Sequence, residues 1–180
     1  MESHKDLIYT IGHSNLPIDK LIELLKNHSI AMVFDIRSIP YSRFPQFNRE
    51  NLMQTFDNLG ITYIWEGETL GGRIQDPYKA KIVPDRKTNI AELIDYDYLI
   101  GREWFQNGIT GLIEVSRQKA TVIMCSEENP ARCHRSLLVG RRLIELGVKV
   151  CHIRGDGRLE TATIENNPPP NQQKLFDGLL

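Results

Sequence analysis

A chain of 180 residues, 41 % of them hydrophobic, is long enough to form one domain with a well-filled core. Its 22 basic and 23 acidic side chains give a formal charge of −1, which excludes binding to DNA or to an anionic membrane through a strong overall positive charge. No apolar run approaches the roughly 20 residues of a membrane-spanning helix, and residues 1–10 lack the apolar region of a signal peptide. We therefore expect a cytoplasmic protein without membrane association.

Five short apolar segments rich in β-branched residues alternate with segments of helical period, and this alternation predicts βαβ units around a parallel sheet. The predicted strands are 7–11, 31–36, 61–65, 121–124 and 148–153, and the apolar stripes of helices fall at 18–25, 52–59, about 97–118 and 138–146. The sequence thus predicts a single α/β domain over residues 1–157. Its sheet should be mostly parallel and five-stranded, with helices on both faces in a Rossmann-like arrangement. Residues 67–96 fit neither period, which indicates an excursion beside the sheet.

Polar residues with reactive or charged groups follow the predicted strands. Ligands of an open parallel sheet bind outside the carboxyl ends of its strands, so these residues are expected to meet at one edge. Polar loops are common on any protein surface, but His, Cys, Arg and carboxylates are not the residues that a generic solvated turn selects. The candidates are His13 and Ser14 after the first strand, Arg37, Ser42 and Arg43 after the second, Gly71 and Gly72 after the third, and Cys125 and Glu127 after the fourth.

The densest group is CSEENPARCHR, residues 125–135. Asn129 followed by Pro130 is typical of a helix start, which would place Cys133 and His134 in the first turns of the last helix, facing Cys125. A helix N-terminus favours an anion or a thiolate. Either Cys125 or Cys133 is therefore a candidate nucleophile.

The groups around these thiols leave two interpretations open. Arg132 and Arg135 are three residues apart, so they can share one helix face and add positive charge, while His13 or His134 is the candidate base. In the alternative interpretation Cys125 is a small buried apolar residue and Arg135 is a partner for Asp35 or Glu127.

The cysteines also bear on metal binding and on redox state. The three thiols, Cys125, Cys133 and Cys151, are an odd number in a chain that needs no cross-links, so we expect reduced thiols. Cys125, Cys133 and His134, with His13, are enough ligands for a metal. Their spacing lacks the paired C-x2-C of structural zinc sites, however, and adjacent side chains on a helix diverge, so we assign no metal ligand and identify no cofactor. The C-x5-R loop of phosphatases is also missing, since six residues separate Cys125 from Arg132.

Four motifs carry a resemblance to a known family. They are TIGHSN (10–15), DIRSIPYSRFPQFN (35–48), GITYIWEGETLGG (60–72) and MCSEENPARCHR (124–135), and on them the chain resembles the bacterial and archaeal family called domain of unknown function 488. The resemblance implies an α/β fold but supplies no reaction. It points to His13, Ser14, Arg37, Ser42, Arg43, Gly71, Gly72, Cys125, Glu127, Cys133, His134 and Arg135 as motif positions.

Residues 158–180 are predicted to be a C-terminal tail. Three consecutive prolines at 168–170 favour a stiff, extended spacer. Gln172, Leu175 and Phe176 follow the spacer and resemble the short peptide with which bacterial replication and repair proteins bind the sliding clamp. The alternative is that this apolar end docks on its own domain.

The leading hypothesis is an enzyme acting on a phosphate-bearing substrate, either a nucleotide or a nucleic acid, with DNA repair as the setting if the tail binds the clamp. The catalytic candidates are Cys125, Glu127 and His13. The substrate-binding candidates are Ser14, Arg37, Ser42, Arg43, Gly71, Gly72, Cys133, His134 and Arg135. The rivals are a nucleic-acid-binding module without chemistry, recruited by its tail, and a metal-binding protein with Cys and His ligands.

Overall fold

The structure is a computed structural model that describes residues 7–72 and 95–164. In chain order its first elements are β1 (Leu7–Gly12), α1 (Ile18–Asn27), β2 (Met32–Asp35), a 3₁₀ turn (Pro45–Phe47), α2 (Arg49–Asp57), β3 (Thr62–Trp65) and α3 (Gly67–Leu70). After the gap come α4 (Tyr96–Ile100), α5 (Glu103–Ser116), β4 (Thr121–Cys125), a second 3₁₀ turn (Pro130–Arg132), a π-helical segment (Arg135–Gly140) that continues into α6 (Arg141–Glu145), β5 (Lys149–Ile153) and β6 (Leu159–Thr161).

The described strands form one sheet in the order β3-β2-β4-β1-β5-β6. The first five strands pair in parallel, which confirms the predicted α/β class and all five predicted strands. The sixth strand was not predicted. It lies antiparallel on β5, and with three residues it is too short to show an alternating pattern in the sequence.

The core has one apolar layer on each face of the sheet, as predicted. Alternate residues of a strand point to opposite faces, so Val33 and Val122 pack with α1 and α2 in one layer. Their neighbours Phe34 and Ile123 pack with α5 and the last helix in the other layer. None of the helices in the described ranges is both long and apolar enough to span a lipid bilayer.

Gly12 determines how the loop after β4 passes over the end of β1. The two strands end level, because Gly12 is the register partner of Cys125. A Cβ atom at position 12 would lie 1.8 Å from the carbonyl oxygen of Glu127, so only glycine admits the backbone of this loop. The loop is thereby held close above β1.

Candidate functional site

A cleft of about 260 Å³ lies beyond the carboxyl ends of β2 and β4. Ser38, Ile39 and Tyr41 line it from the segment after β2, and Glu127 and Arg132 line it from the segment after β4. The buried members of the lining are Arg37, Cys125, Cys133 and His134. The predicted edge of the sheet therefore holds a cleft, with two thiols and an imidazole at its bottom.

The convergence of Cys125, Cys133 and His134 depends on where the last helix begins. Asn129 does cap a helical turn, since its side chain accepts the N–H of Ala131, but that turn is a 3₁₀ turn and ends at Arg132. Cys133 is extended (φ −128°, ψ 137°), and its carbonyl accepts the N–H of Ser136 and Leu137 where the next helical segment starts. The prediction that Cys133 lies within a helix is therefore wrong. Because the backbone is extended there, adjacent side chains at 133 and 134 both reach Cys125.

The imidazole of His134 is oriented by backbone on one side and by the thiols on the other. Its Nε2 lies 3.0 Å from the carbonyl oxygen of Ile36, which accepts only, so Nε2 carries a proton. In the neutral ring Nδ1 then has a free lone pair, which lies 3.8 Å from the sulfur of Cys125 and 4.0 Å from the sulfur of Cys133. His134 is thus placed to accept a proton from a thiol or to bind a metal through Nδ1.

The two thiols have opposite protonation preferences. A hydrogen bond to the sulfur of Cys133, together with burial, raises the pKa of Cys125. Burial also acts to raise the pKa of Cys133, but the hydrogen bond from Cys125 and the charge of Arg135 outweigh it and lower that pKa. These opposite directions favour the negative charge on Cys133 and the proton on Cys125. The sequence left either cysteine open as nucleophile, and this electrostatic difference favours Cys133.

The buried side chain of Arg135 supports the site from inside the protein. It is fully buried and donates to the hydroxyl of Thr10 and to the carbonyl oxygens of Glu127 and Glu128. Of its two alternative partners, Glu127 is bound through the backbone carbonyl, whereas Asp35 pairs with Arg37, and no carboxylate in the described residues forms an ion pair with Arg135. Its partners fix the loop after β4, and its charge acts on the thiols. Direct substrate binding by Arg135 is not what this geometry favours.

The guanidinium of Arg37 is also occupied by partners inside the protein. Its guanidinium forms an ion pair with Asp35 at 2.5 Å and donates to the carbonyl oxygen of Phe47 at 2.9 Å. Tyr63 adds a hydrogen bond to the same carboxylate at 2.6 Å. The ion pair neutralises Arg37, so its role as a phosphate ligand, which the sequence predicted, has little geometric support although the residue borders the cleft.

His13 lies beside this ion pair rather than on the cleft. Its Nδ1–H donates to the carbonyl oxygen of Ser14 at 3.0 Å, and its Nε2 accepts from Arg37 at 3.2 Å. Burial, followed by the charge of Arg37, lowers the pKa of His13 to about 4. Both ring nitrogens are occupied, so the geometry favours His134 over His13 as the base.

Three further predicted site residues lie outside the lining of the cleft. Ser14 donates its backbone N–H to the carbonyl of Ser126, and Ser42 accepts the N–H of Phe44 in a turn. Arg43 is exposed over the ring of Phe44. None of these three belongs to the lining of the cleft in the described part of the chain.

The two glycines after α3 make room for their neighbours. A Cβ at Gly71 would lie 2.1 Å from the carbonyl oxygen of Gly67. A Cβ at Gly72 would lie 2.8 Å from the ring of His134, so this glycine lets the imidazole lie against the backbone. Gly72 borders the cleft, as the motif suggested, through its contact with the catalytic candidate His134.

The sequence analysis missed residues of two kinds. Ile39 and Tyr41 line the cleft, and their position soon after β2 was the signal that could have identified them. His152 was missed as well. It accepts the hydroxyl proton of Thr10 at 2.7 Å and lies 3.3 Å from the hydroxyl of Ser136, so it continues the network that begins at Arg135.

Stability should fall in mild acid because of His152. Burial, with the nearby charge of Arg135, lowers its pKa to about 4 in the folded protein. The unfolded chain binds this proton below about pH 6.5 whereas the folded chain does not, so folding is favoured at neutral pH and loses free energy as pH falls. From about pH 6.5 to 4.5 the loss due to this residue should be about 2 kcal/mol.

Urea denaturation of the wild type and of His152→Gln at several pH values checks this expectation. Between about pH 6.5 and 4.5 the free energy of unfolding of the variant should fall by about 2 kcal/mol less than that of the wild type, because the variant has no imidazole to titrate at position 152. A difference between the two proteins that stays constant from neutral to mildly acidic pH would contradict the assignment.

Gln172, Leu175 and Phe176, the proposed clamp-binding residues, lie outside the described residues.

Comparison with known proteins identifies the family but no activity. No curated protein and no solved structure shows significant similarity to the chain. The family model described as "Domain of unknown function DUF488" matches residues 17–141, a range that contains β2, β4 and the cluster Cys125, Cys133 and His134. The chain therefore belongs to the DUF488 family.

Proposed function

We propose that the protein is an enzyme that acts on a phosphate-bearing substrate, a nucleotide or a nucleic acid, in the cleft beyond β2 and β4. One observation carries the proposal. Two buried thiols and an imidazole nitrogen with a free lone pair meet at the bottom of an accessible cleft, next to a buried guanidinium without an ion-pair partner in the described ranges. Perturbed groups that converge in a cleft are typical of reactive centres.

The cluster of Cys125, Cys133 and His134 is the reactive centre in this proposal. Cys133 holds the negative charge, Cys125 donates a hydrogen bond to it, and His134 exchanges the proton. Glu127 is exposed on the cleft lining, where its carboxylate can act as a general acid or base. His13 keeps the position of Arg37 and does not reach the substrate.

Arg132 is the group that supports a phosphate-bearing substrate. It is exposed at the cleft and makes no ion pair with any residue in the described ranges. A free guanidinium at the mouth of a cleft is suited to a phosphate oxygen pair. The aromatic ring of Tyr41, 71 % exposed on the same lining, is available for stacking against a nucleobase.

The proposal that the substrate is a nucleic acid also rests on the C-terminal tail, residues 158–180. If Gln172, Leu175 and Phe176 bind the sliding clamp, the substrate is DNA and the setting is repair in the cytoplasm, where thiols stay reduced. This part of the proposal is supported by the sequence pattern alone.

The test is turnover of a panel of nucleotides, sugar phosphates and single- and double-stranded oligonucleotides, with product detection by mass spectrometry. The wild type should convert one phosphate-bearing class and leave its dephosphorylated counterpart unchanged. Arg132→Ala should raise KM about tenfold with little change in kcat, since one charge-assisted contact to phosphate is lost.

Arg117→Ala is the matched control. Arg117 is exposed at the end of α5, which precedes β4 and so lies at the opposite edge of the sheet, and its removal should leave KM unchanged. Equal KM values in both variants would contradict phosphate binding by Arg132. If the wild type converts nothing but binds oligonucleotides with an affinity that falls as salt rises, the protein is the non-catalytic binding module instead.

A further inference from the structure

The ligand atoms of three buried residues converge at the bottom of the cleft. The sulfurs of Cys125 and Cys133 and the Nδ1 of His134 all lie within 4.8 Å of one another. Each of them belongs to a residue that is at most 5 % exposed. Two thiols and an imidazole are the donors that zinc prefers in proteins, and buried thiols without a metal or a charge partner have to stay protonated.

The distances fit a tetrahedral ion. With Zn–S of about 2.3 Å and Zn–N of about 2.1 Å, two neighbouring ligands of a tetrahedral zinc are about 3.5–3.8 Å apart. The two S···Nδ1 distances are 3.8 and 4.0 Å. The two sulfurs lie no more than 4.8 Å apart, so side-chain movements of up to about 1 Å would bring both sulfurs and Nδ1 to bonding distance around one ion.

The surroundings of His134 are those of a metal ligand. Its Nε2–H donates to the carbonyl oxygen of Ile36, which fixes the tautomer with a free lone pair on Nδ1. Metal-bound histidines almost always donate their second N–H in this way. Gly72 packs against the ring from the other side, so the ring is held in place before any ligand binds.

The charges also balance. A divalent ion with two thiolates is neutral overall, which lowers the cost of burying it. The premise that adjacent side chains at 133 and 134 diverge does not hold, because Cys133 is extended rather than helical.

We infer that Cys125, Cys133 and His134 form a binding site for one Zn²⁺ ion, with the fourth coordination position open to the cleft. Three protein ligands and an open position are typical of catalytic zinc, whereas structural zinc has four protein ligands. The inference rests on the proposed function in one respect, that the cluster is the reactive centre. It changes the role of the thiols from proton donor and nucleophile to metal ligands, and it leaves Glu127, on the lining of the same cleft, as the candidate general base.

The experiment is zinc analysis of the full chain, purified without chelator and also after removal of metal and reloading with Zn²⁺. The wild type should hold about one equivalent, and Cys125→Ser and Cys133→Ser should each lose most of it. Cys151→Ser is the control, because Cys151 lies on β5 outside the cluster, and this variant should bind like the wild type. Cobalt loading adds a direct readout, since the wild type should show thiolate-to-cobalt absorption and ligand-field bands of a tetrahedral site.

Less than about a tenth of an equivalent in the reloaded wild type would overturn the zinc site. Equal zinc content in Cys133→Ser and the wild type would overturn it as well. Circular dichroism of each variant shows whether it folds, and chelation of the wild type gives the metal-free protein without any substitution. If zinc is absent while Cys133→Ser still abolishes turnover, the metal inference fails and the proposed function stands. If zinc is bound and turnover of every phosphate-bearing substrate is missing, the proposed function fails and the zinc site stands.

Discussion

Arg135→Met should lower the free energy of unfolding by about 3–5 kcal/mol, since it removes one partner from a buried charged network. The substitution conserves an unbranched apolar stem but leaves three acceptors without a donor: the hydroxyl of Thr10 and the carbonyl oxygens of Glu127 and Glu128. An acceptor that loses its donor costs about 1–3 kcal/mol when it is buried and less when it is partly buried, as the two carbonyls are, and removal of the buried charge offsets part of this cost. The loop after β4 should loosen, and with it one wall of the cleft.

Urea denaturation of both proteins after the same chelation measures this loss without a contribution from bound metal. Arg158→Met is the matched control, because the ion pair of Arg158 with Asp156 is exposed on both sides. That variant should lose less than about 1 kcal/mol. A loss in Arg135→Met that is no larger than in the control would show that Arg135 does not hold the loop.

The fold could be predicted because its signals are local. Each of the first five strands is a short apolar run between segments of helical period, and a parallel sheet covered on both faces requires that pattern. β6 carried no such signal. Its three residues are mostly exposed, and its place on β5 follows from the tight turn at Asp156 and Gly157 rather than from an apolar run.

The location of the site could be predicted for a similar reason. Parallel strands end at the same edge, so Gly12 and Cys125 had to be level, and the residues after β2 and β4 had to be near each other. The roles of single residues could not be predicted in this way. Whether an arginine faces a ligand or the interior depends on its tertiary partners. Arg37 pairs with the carboxylate of Asp35, and Arg135 donates to backbone carbonyl oxygens.

The start of the last helix shows how one local error can reverse a chemical conclusion. Asn129 and Pro130 carry a genuine capping signal, and the structure uses it for a single 3₁₀ turn. A continuous helix from Pro130 would have directed Cys133 and His134 apart. The break at Cys133 instead brings both side chains to Cys125.

Cys133→Ser should reduce turnover by at least about a hundredfold, because a serine hydroxyl stays neutral at pH 7 and replaces a thiolate poorly both as a nucleophile and as a zinc ligand. In the wild type, the hydrogen bond from Cys125 and the charge of Arg135 lower the pKa of the Cys133 thiol. The loss is therefore expected in kcat/KM whichever of the two roles the sulfur has. Stability should change by much less than in Arg135→Met, since sulfur and oxygen occupy similar space there.

Cys125→Ser and Cys151→Ser complete the comparison. Cys125→Ser should also lose most turnover, since it removes the S–H donor to Cys133 and one of the three candidate ligands. Cys151→Ser changes a half-buried thiol on β5 and should stay within about twofold of the wild type, as expected for a residue outside the reacting groups. The measurement is kcat and KM on the substrate class that the wild type converts. Turnover by Cys133→Ser within about twofold of the wild type would show that the sulfur at position 133 takes no part in the reaction.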